Sequence, residues 1–292
     1  IVGAFAERMK FGSFVIFIVA WSTIVYAPLA HWVWGNNGWL GLNGWGAMDF
    51  AGGTVVHISA GAGALASALI IGRRIGFPEQ PMGPANVPMV VLGAALLWFG
   101  WFGFNAGSSL AADGVATNAF VVTNTAAAAA MMSWLILAWL IDKKPSAVGA
   151  ASGAVAGLVA ITPAAGFVGP MPALIIGLGA GVFCYSMVKL LLKLRVDDAL
   201  AVFGVHGIGG IWGALATGLF VGVGYAALGD GVSRVEQILY QLIAIGAAFG
   251  WSFVVTGIIM LAIKYTIGLS ADEEGEGMGL DLTEHGEAAY EP

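Results

Sequence analysis

The sequence predicts an all-α polytopic membrane protein, a bundle of transmembrane helices with an inverted internal repeat. Three observations predict this fold: the composition, the spacing of apolar stretches and the placement of basic residues. Of the 292 residues, 59% are hydrophobic and only 10% are charged, whereas soluble domains have about 25% charged residues. This composition excludes an ordinary soluble domain.

Eight apolar stretches of the chain are long enough to span a membrane. A spanning helix needs about 20 mostly apolar residues to cross a hydrocarbon core of about 30 Å. The predicted helices cover residues 12–33, 49–72, 87–109, 115–141, 147–165, 170–192, 198–223 and 237–268. They form a predicted transmembrane domain, 12–268, that follows a short segment, 1–11, and precedes a C-terminal tail, 269–292.

The basic residues of the connectors test this helix count independently. With eight helices, ten of the eleven basic residues fall on one side of the membrane and only Arg234 falls on the other. Such a split follows the positive-inside rule and makes both ends of the chain cytoplasmic. The ten are Arg8, Lys10, Arg73, Arg74, Lys143, Lys144, Lys189, Lys193, Arg195 and Lys264.

The two ends of the chain differ in composition from the spans. Residues 1–11 resemble the end of an apolar segment that runs into a basic turn, so we expect the native N-terminus to lie upstream. The tail is predicted to be a separate, solvated segment, either partly disordered or regulatory. It contains eight of the seventeen acidic residues: Asp272, Glu273, Glu274, Glu276, Asp281, Glu284, Glu287 and Glu291.

Glycine patterns predict close contacts between helices. Small residues four apart let helix backbones approach each other in lipid. The pairs Gly153 with Gly157 and Gly177 with Gly181 follow this pattern.

One pattern of an aspartate and a histidine occurs twice. Asp49 precedes His57 by eight residues, and Asp198 precedes His206 by the same number. The basic-residue count places Asp49 after an external connector and Asp198 after an internal one, which is typical of inverted-topology repeats. At 1.5 Å per residue, each histidine lies about 12 Å from its end of the membrane, so both come near the midplane and close to each other.

Less specific interpretations of these residues also exist. An aspartate at a helix start is commonly an N-cap, and a single buried histidine is commonly only hydrogen-bonded. A zinc site would need three or four protein ligands, and the spans provide only two deep histidines. A membrane hydrolase is disfavoured because Ser, His and Asp show no recognisable catalytic spacing. Two histidines on symmetry-related helices therefore favour a transport function over catalysis.

The motif around the first histidine resembles the signature of the ammonium transporter family (Amt/Mep/Rh). It reads Asp49-Phe-Ala-Gly-Gly-Thr-Val-Val-His57. Five further motifs resemble those of the family in the same order, over essentially the whole chain. They are Gly3-Ala-Phe-Ala-Glu-Arg-Met9, Trp101-Phe-Gly-Phe-Asn-Ala-Gly-Ser108, Arg195-Val-Asp-Asp198, Phe203-Gly-Val-His206-Gly207 and the tail stretch from Gly279 to Tyr290.

The resemblance implies an architecture and a set of partners. The family fold has eleven helices in two inverted five-helix repeats plus a final long helix, assembled as a homotrimer, and the eight helices here correspond to its fourth to eleventh. It implies ammonium or ammonia as substrate, a multi-pass location in the inner (plasma) membrane and a cytoplasmic tail that docks a PII-type signalling protein. It implies neither a cofactor nor a nucleic-acid partner.

The resemblance also implies residue roles at the outer mouth of a pore. Trp34 and Ser108 would recruit the ammonium ion, and Phe104 and Trp101 would form the gate or constriction below them. The family gate pairs two phenylalanines, of which this chain contains only Phe104. Without the resemblance, these aromatic residues would be interpreted as interfacial or core residues.

Inside the pore, the resemblance implies that His57 and His206 line an apolar path for neutral ammonia. Asp49 and Ala51 would shape the outer site, with direct ligation by the carboxylate disfavoured. An Rh-like channel for a neutral gas or small solute is one alternative, and an ammonium sensor is another. Trp34 and the tail motif favour the ammonium branch.

Overall fold

The protein is an all-helical bundle, seen here in a computed structural model that describes residues 1–80 and 82–290. Seven helices in the described residues are long and apolar enough to cross a membrane, and an eighth is shorter. They are α1 (Phe11–Trp34), α2 (Gly53–Ile71), α3 (Val87–Gly107), α4 (Gly114–Asp142), the shorter α5 (Ala147–Ile161), α6 (Pro170–Lys193), α7 (Phe203–Phe220) and α8 (Arg234–Thr266).

These helices confirm the predicted fold class, with three boundaries that differ by four or five residues. Asp49 and Asp198 do not open their helices, because α2 begins at Gly53 and α7 at Phe203. Each aspartate instead reaches its helix from the preceding loop. The prediction for 147–165 was too long because α5 ends at Ile161. Pro163, two residues later, has no amide hydrogen with which to continue the helix.

Side-chain caps define the starts of four other helices. Each cap accepts a hydrogen bond from a first-turn amide that has no partner within the helix. At α8, Ser233 and Glu236 form a reciprocal capping box. The four cap residues are Asn86, Asp113, Ser146 and Ser233.

The helices α4, α5 and α6 form the larger core. Their backbones approach closely at the glycines, as the glycine patterns predicted. A Cβ on Gly157 or on Gly177 would lie 2.3 Å from the Ala126 carbonyl oxygen of α4. A Cβ on Gly181 would lie 2.5 Å from the Ala130 carbonyl oxygen. A larger residue at these positions would therefore separate the helix backbones.

The helices α2 and α7, which carry the two histidines, cross at another pair of glycines. A Cβ on Gly61 would lie 2.3 Å from both the Cα and the amide nitrogen of Gly207. Because the atoms that this Cβ would meet are main-chain atoms, no side-chain movement could relieve the clash. The crossing brings the N-terminal turns of the two inverted segments together inside the bundle.

The tail continues from α8 as two short helices, α9 (Glu273–Met278) and α10 (Leu280–His285), at the end of the bundle where residues 1–10 lie. Glu276 accepts a hydrogen bond from the Ile75 amide, and Glu284 accepts one from the Phe11 amide. The acidic residue Glu291 lies outside the described residues. The division into a segment 1–11, a domain 12–268 and a tail 269–292 stays a prediction.

Candidate functional site

The loop before α2 places a carboxylate against the first turn of that helix. Asp49 Oδ1 accepts the Gly52 and Gly53 amides at 2.9 and 2.6 Å, and Oδ2 accepts the Thr54 and Val55 amides at 2.8 and 3.2 Å. The Thr54 hydroxyl also donates to Oδ2. Gly52 has a φ of 126°, a conformation that favours glycine. Asp49 is buried and four of its five donors are main-chain amides at the helix start, so it acts as a cap from outside the helix.

Asp198 repeats this arrangement at the start of α7. Its carboxylate accepts the amides of Val202, Phe203 and Gly204 at 2.9, 2.7 and 3.4 Å. Both helices then begin with a wider π-helical turn, Gly53–Ile58 in α2 and Phe203–Gly207 in α7. π-helical turns are rare and frequently occur at functional sites.

The two π-helical turns bring the histidines into contact. Nδ1 of His206 lies 3.2 Å from Nδ1 of His57, and the ring centroids are 5.3 Å apart. His57 is 2% exposed. Two imidazoles at this separation share a hydrogen bond in which one nitrogen donates and the other accepts.

Two aromatic rings lie against His57. Trp101 stacks on it with a centroid distance of 5.4 Å and an interplanar angle of 16°, and Phe104 lies at 5.9 Å and 29°. A cavity of about 660 Å³ borders both histidines and both aromatic rings. Its other lining residues are Ile1, Val56, Ala60, Gly93, Leu96, Leu97 and Gly100, which are all apolar.

Comparison with known proteins identifies the family. The model of the Ammonium Transporter Family matches residues 1–290. The chain is 51% identical to the ammonium transporter of Bacillus subtilis over 295 residues, which cover 100% of this chain and 72% of that protein. It is 48% identical to the ammonium transporter Amt1 of Archaeoglobus fulgidus, covering 99% and 73% of the two chains. The chain belongs to the ammonium transporter family.

Solved structures agree with this family and with its fold. A protein described as a Sensor Amt Protein superposes with a TM-score of 0.89 at 36% identity, covering 97% of this chain and 72% of the other. Mep2 of Candida albicans superposes with a TM-score of 0.83 at 39% identity, covering 91% and 61%. Family membership and seven helices of membrane length make this chain a multi-pass membrane protein.

Of the predicted outer residues of this family member, Trp34, Asp49 and Ala51 lie at or near the start of α2. Trp34 is 44% exposed, and its indole nitrogen donates to the Asp49 main-chain oxygen at 2.9 Å. Ala51 is buried beside Asp49. Ser108 follows α3, and its hydroxyl donates to the Phe104 carbonyl at 2.8 Å. No hydrogen bond joins Ser108 to Trp34 within the part of the chain that the structure describes.

The sequence analysis did not predict two elements of the site. The first is Thr162, whose hydroxyl lies 3.3 Å from His57 Nε2 and 2.9 Å from Trp101 Nε1. The dipeptide Thr162-Pro163 inside an apolar stretch was the available signal, since it marks a helix end with a hydroxyl. The pattern did not indicate that this helix end lies beside the histidines.

The second is a pair of buried glutamines on α8. The Gln241 side chain bonds both main-chain groups of Met48, accepting from its amide at 2.6 Å and donating to its carbonyl at 2.8 Å. Gln237 donates to the Gly46 carbonyl at 3.0 Å. Two glutamines four residues apart in an apolar span were the available signal. Together they hold the loop that leads into Asp49.

At the opposite end, a charged cluster holds the loop that leads into Asp198. Arg74 donates to both Asp197 carboxylate oxygens, at 2.8 Å to Oδ1 from its outer nitrogen and at 3.0 Å to Oδ2 from Nε. Arg8 donates to the Asp197 main-chain oxygen at 2.7 Å. Burial by itself raises the pKa of Asp197, but the Arg74 hydrogen bonds and the nearby Arg8 charge outweigh burial and hold the pKa below its ordinary value.

Proposed function

We propose that this protein transports ammonium by binding the cation at an outer vestibule, removing its proton and conducting ammonia past His57 and His206. The observation that carries the proposal is the bonded histidine pair beside an otherwise apolar cavity. Ionisable side chains within apolar spans are rare and mark substrate pathways. Family membership supports ammonium as the substrate, because the similar bacterial and archaeal proteins are ammonium transporters.

Trp34 and Ser108 recruit the cation in this proposal. An indole face attracts a cation by about 0.5–2 kcal/mol, depending on desolvation. The bond from Trp34 to the Asp49 main-chain oxygen supports this role by restricting the orientation of the ring. The Ser108 hydroxyl already donates its hydrogen to Phe104, so its oxygen retains lone pairs that accept from ammonium.

Asp49 and Ala51 shape this outer site without binding the ion directly. A carboxylate has about four lone-pair positions, and Asp49 already accepts four amides and one hydroxyl. Its charge therefore acts through its field and through the helix start that it holds. Ala51 is buried against this turn.

The apolar path favours the neutral form of the substrate. Transfer of a bare cation of this size into low dielectric costs of order 20 kcal/mol in an idealised calculation. Removing its proton at pH 7 costs roughly 4–5 kcal/mol if an alkylammonium pKa of about 10.4 represents ammonium. Deprotonation is the cheaper route, and K⁺ has no proton to lose. Phe104 and Trp101 form the constriction, and the histidines either pass ammonia along or relay the proton.

The proposal also includes the setting of the protein. We place it in the inner (plasma) membrane as a homotrimer, with the tail in the cytoplasm as the docking site for a PII-type protein. The basic residues at the tail end support this orientation. A binding assay between PII and the chain ending at Leu269 tests the docking site, since retained binding would move the contact to the loops.

The test of transport is a comparison of ammonium-evoked current in proteoliposomes. The double variant His57→Ala/His206→Ala is expected to lose the current or to admit K⁺. The matched control is His31→Ala, which removes an exposed histidine outside the pair. A double variant with unchanged rate and unchanged K⁺ exclusion would reject the proposed path. Internal alkalinisation without current would indicate the Rh-like neutral channel instead.

A second candidate function is sensing of ammonium. The structural likeness to the Sensor Amt Protein favours it. Ammonium binding by calorimetry, with neither current nor alkalinisation in the proteoliposomes, would support the sensor.

A further inference from the structure

The Thr162 hydroxyl lies at the end of α5 and contacts three different groups. Thr162 is 0% exposed. Its oxygen lies 2.8 Å from the Leu158 carbonyl oxygen, 2.9 Å from Trp101 Nε1 and 3.3 Å from His57 Nε2. One buried hydroxyl therefore joins the pore histidine to a main-chain group and to an aromatic ring of the constriction.

The Leu158 carbonyl and the Trp101 indole together determine whether His57 Nε2 donates to the Thr162 hydroxyl or accepts from it. A hydroxyl has one hydrogen and two lone pairs. The Leu158 carbonyl only accepts, so the hydroxyl hydrogen points to it. The Trp101 indole only donates, so it occupies one lone pair. His57 Nε2 then faces the second lone pair and must carry a hydrogen.

This assignment extends to the second histidine. A neutral imidazole has one N–H, so a hydrogen on His57 Nε2 makes His57 Nδ1 an acceptor. Nδ1 of His206, 3.2 Å away, is then the donor. His206 Nε2 keeps a free lone pair. It makes no hydrogen bond within the described residues, and its ring borders the cavity.

We propose that Thr162 is a positioning residue that fixes the tautomers of both pore histidines and gives the pair one direction. Hydrogen bonds run from His206 to His57, from His57 to Thr162 and from Thr162 to Leu158. Among the described residues, the imidazole lone pair left for the cavity is that of His206 Nε2. Its ligand is a small N–H donor such as ammonia, or a proton. This consequence for transport rests on the proposed function, but the tautomer assignment does not.

Nitrogen NMR of the protein in lipid bilayers tests the assignment. The chain has four histidines, so the double variant His31→Gln/His285→Gln, labelled with ¹⁵N-histidine, leaves signals from the pair alone. The expected spectrum has His57 protonated at Nε2 and His206 at Nδ1, because the shifts of protonated and bare ring nitrogens are well separated. If His57 is protonated at Nδ1 in this double variant, which keeps Thr162, the proposal is overturned.

Two substitutions separate the hydroxyl from the shape of the side chain. Thr162→Val removes the hydroxyl at nearly constant volume, and we expect a mixture of tautomers. Thr162→Ser keeps the hydroxyl and should retain the single tautomer. A single unchanged tautomer in Thr162→Val would show that the hydroxyl does not set it, and would overturn the proposal.

Transport kinetics give an independent readout. In Thr162→Val, the maximal ammonium rate is expected to fall about tenfold, the factor expected from loss of one hydrogen bond. The apparent KM should stay unchanged because Trp34 and Ser108 are intact, and Thr162→Ser should restore the rate. An unchanged maximal rate in Thr162→Val would show that Thr162 does not affect transport and would reject that part of the proposal. Absence of ammonium transport in the wild type would reject the proposed function and leave the NMR result standing.

Discussion

The two inverted halves of the candidate site share one local arrangement but differ in the residues around it. Each half has a loop aspartate that caps a π-helical turn, with a histidine eight residues after the aspartate. The loop before Asp49 is held by uncharged amides of Gln237 and Gln241. The loop before Asp198 is held by ionised side chains.

The surroundings of the histidines differ in the same way. His57 is enclosed by Thr162, Trp101 and Phe104. The ring of His206 borders the cavity, and its Nε2 makes no hydrogen bond to any residue that the structure describes. An inverted repeat thus sets the positions of two equivalent groups, and their neighbours give them different chemistry. Predictions that disturb one half at a time measure how far this difference extends.

The largest expected effect comes from breaking the contact between the halves. In Gly61→Val, the new side chain collides with the Gly207 main chain, so α2 and α7 separate and the histidine bond is lost. We expect the ammonium current to fall to the level of empty vesicles. Gly250→Val is the control, because a Cβ there has no neighbour within 4 Å. Equal currents in the two variants would mean that the crossing does not hold the pair.

The next effect compares the two capping carboxylates. Asp49 accepts five donors and Asp198 accepts three. A hydrogen bond to a charged group contributes at most about 1.5–3 kcal/mol, and bonds that share one carboxylate do not add in full. We therefore expect Asp49→Ala to lower the free energy of unfolding by about 4 kcal/mol and Asp198→Ala by about 2 kcal/mol. Unfolding in detergent measures both. A larger loss of stability in Asp198→Ala would show that the Asp198 cap stabilises the protein more than the Asp49 cap, contrary to this expectation.

The amide clamp of the first half is the next target. Gln241→Leu leaves the Met48 amide and carbonyl without these partners, so we expect a loss of about 3 kcal/mol. The displaced loop carries Asp49, so the KM for ammonium should rise with a smaller change in the maximal rate. Gln237→Leu, which removes one loop contact, should have a smaller effect. An equal rise in KM in both variants would show that the two Met48 contacts hold the loop no better than the single Gly46 contact does.

The charged clamp of the second half should give the smallest effect, and one that depends on pH. Asp197→Asn keeps the shape but weakens the charge-assisted hydrogen bonds from Arg74, which we expect to cost about 1.5 kcal/mol near neutral pH. The native state holds the pKa of Asp197 below its ordinary value. Its contribution is therefore complete above the unfolded value of about 3.9 and is lost as the pH falls through the lower folded value.

Thermal unfolding of wild type and Asp197→Asn at several pH values checks this expectation. The gap between the two midpoints should be constant from pH 5 to pH 8 and should close at lower pH. The control is Glu7→Gln, whose carboxylate is 67% exposed and should contribute only about 0.2–1 kcal/mol. A gap that persists in strong acid would exclude the charge as its cause.

Most of the fold was predictable from local sequence. The apolar stretches and the basic connectors predicted the helices to within a few residues, because length and polarity limit what a bilayer accepts. Two of the three boundary errors arose where Asp49 and Asp198 cap their helices from loops, since a cap contact across several loop residues has no fixed spacing. The motifs that carry the family resemblance were confirmed by the comparisons, while the roles of the site residues stay predictions.

The sequence by itself determined that this chain is a helical membrane protein with two equivalent aspartate and histidine segments. Hydrophobicity and periodicity are local properties, and they suffice for that conclusion. Only the tertiary structure decided which nitrogens of the histidines meet, that Thr162 completes the pair, and that glutamines hold one loop and ions the other. These contacts join residues 105 to 193 positions apart, and no local pattern encodes such a distance.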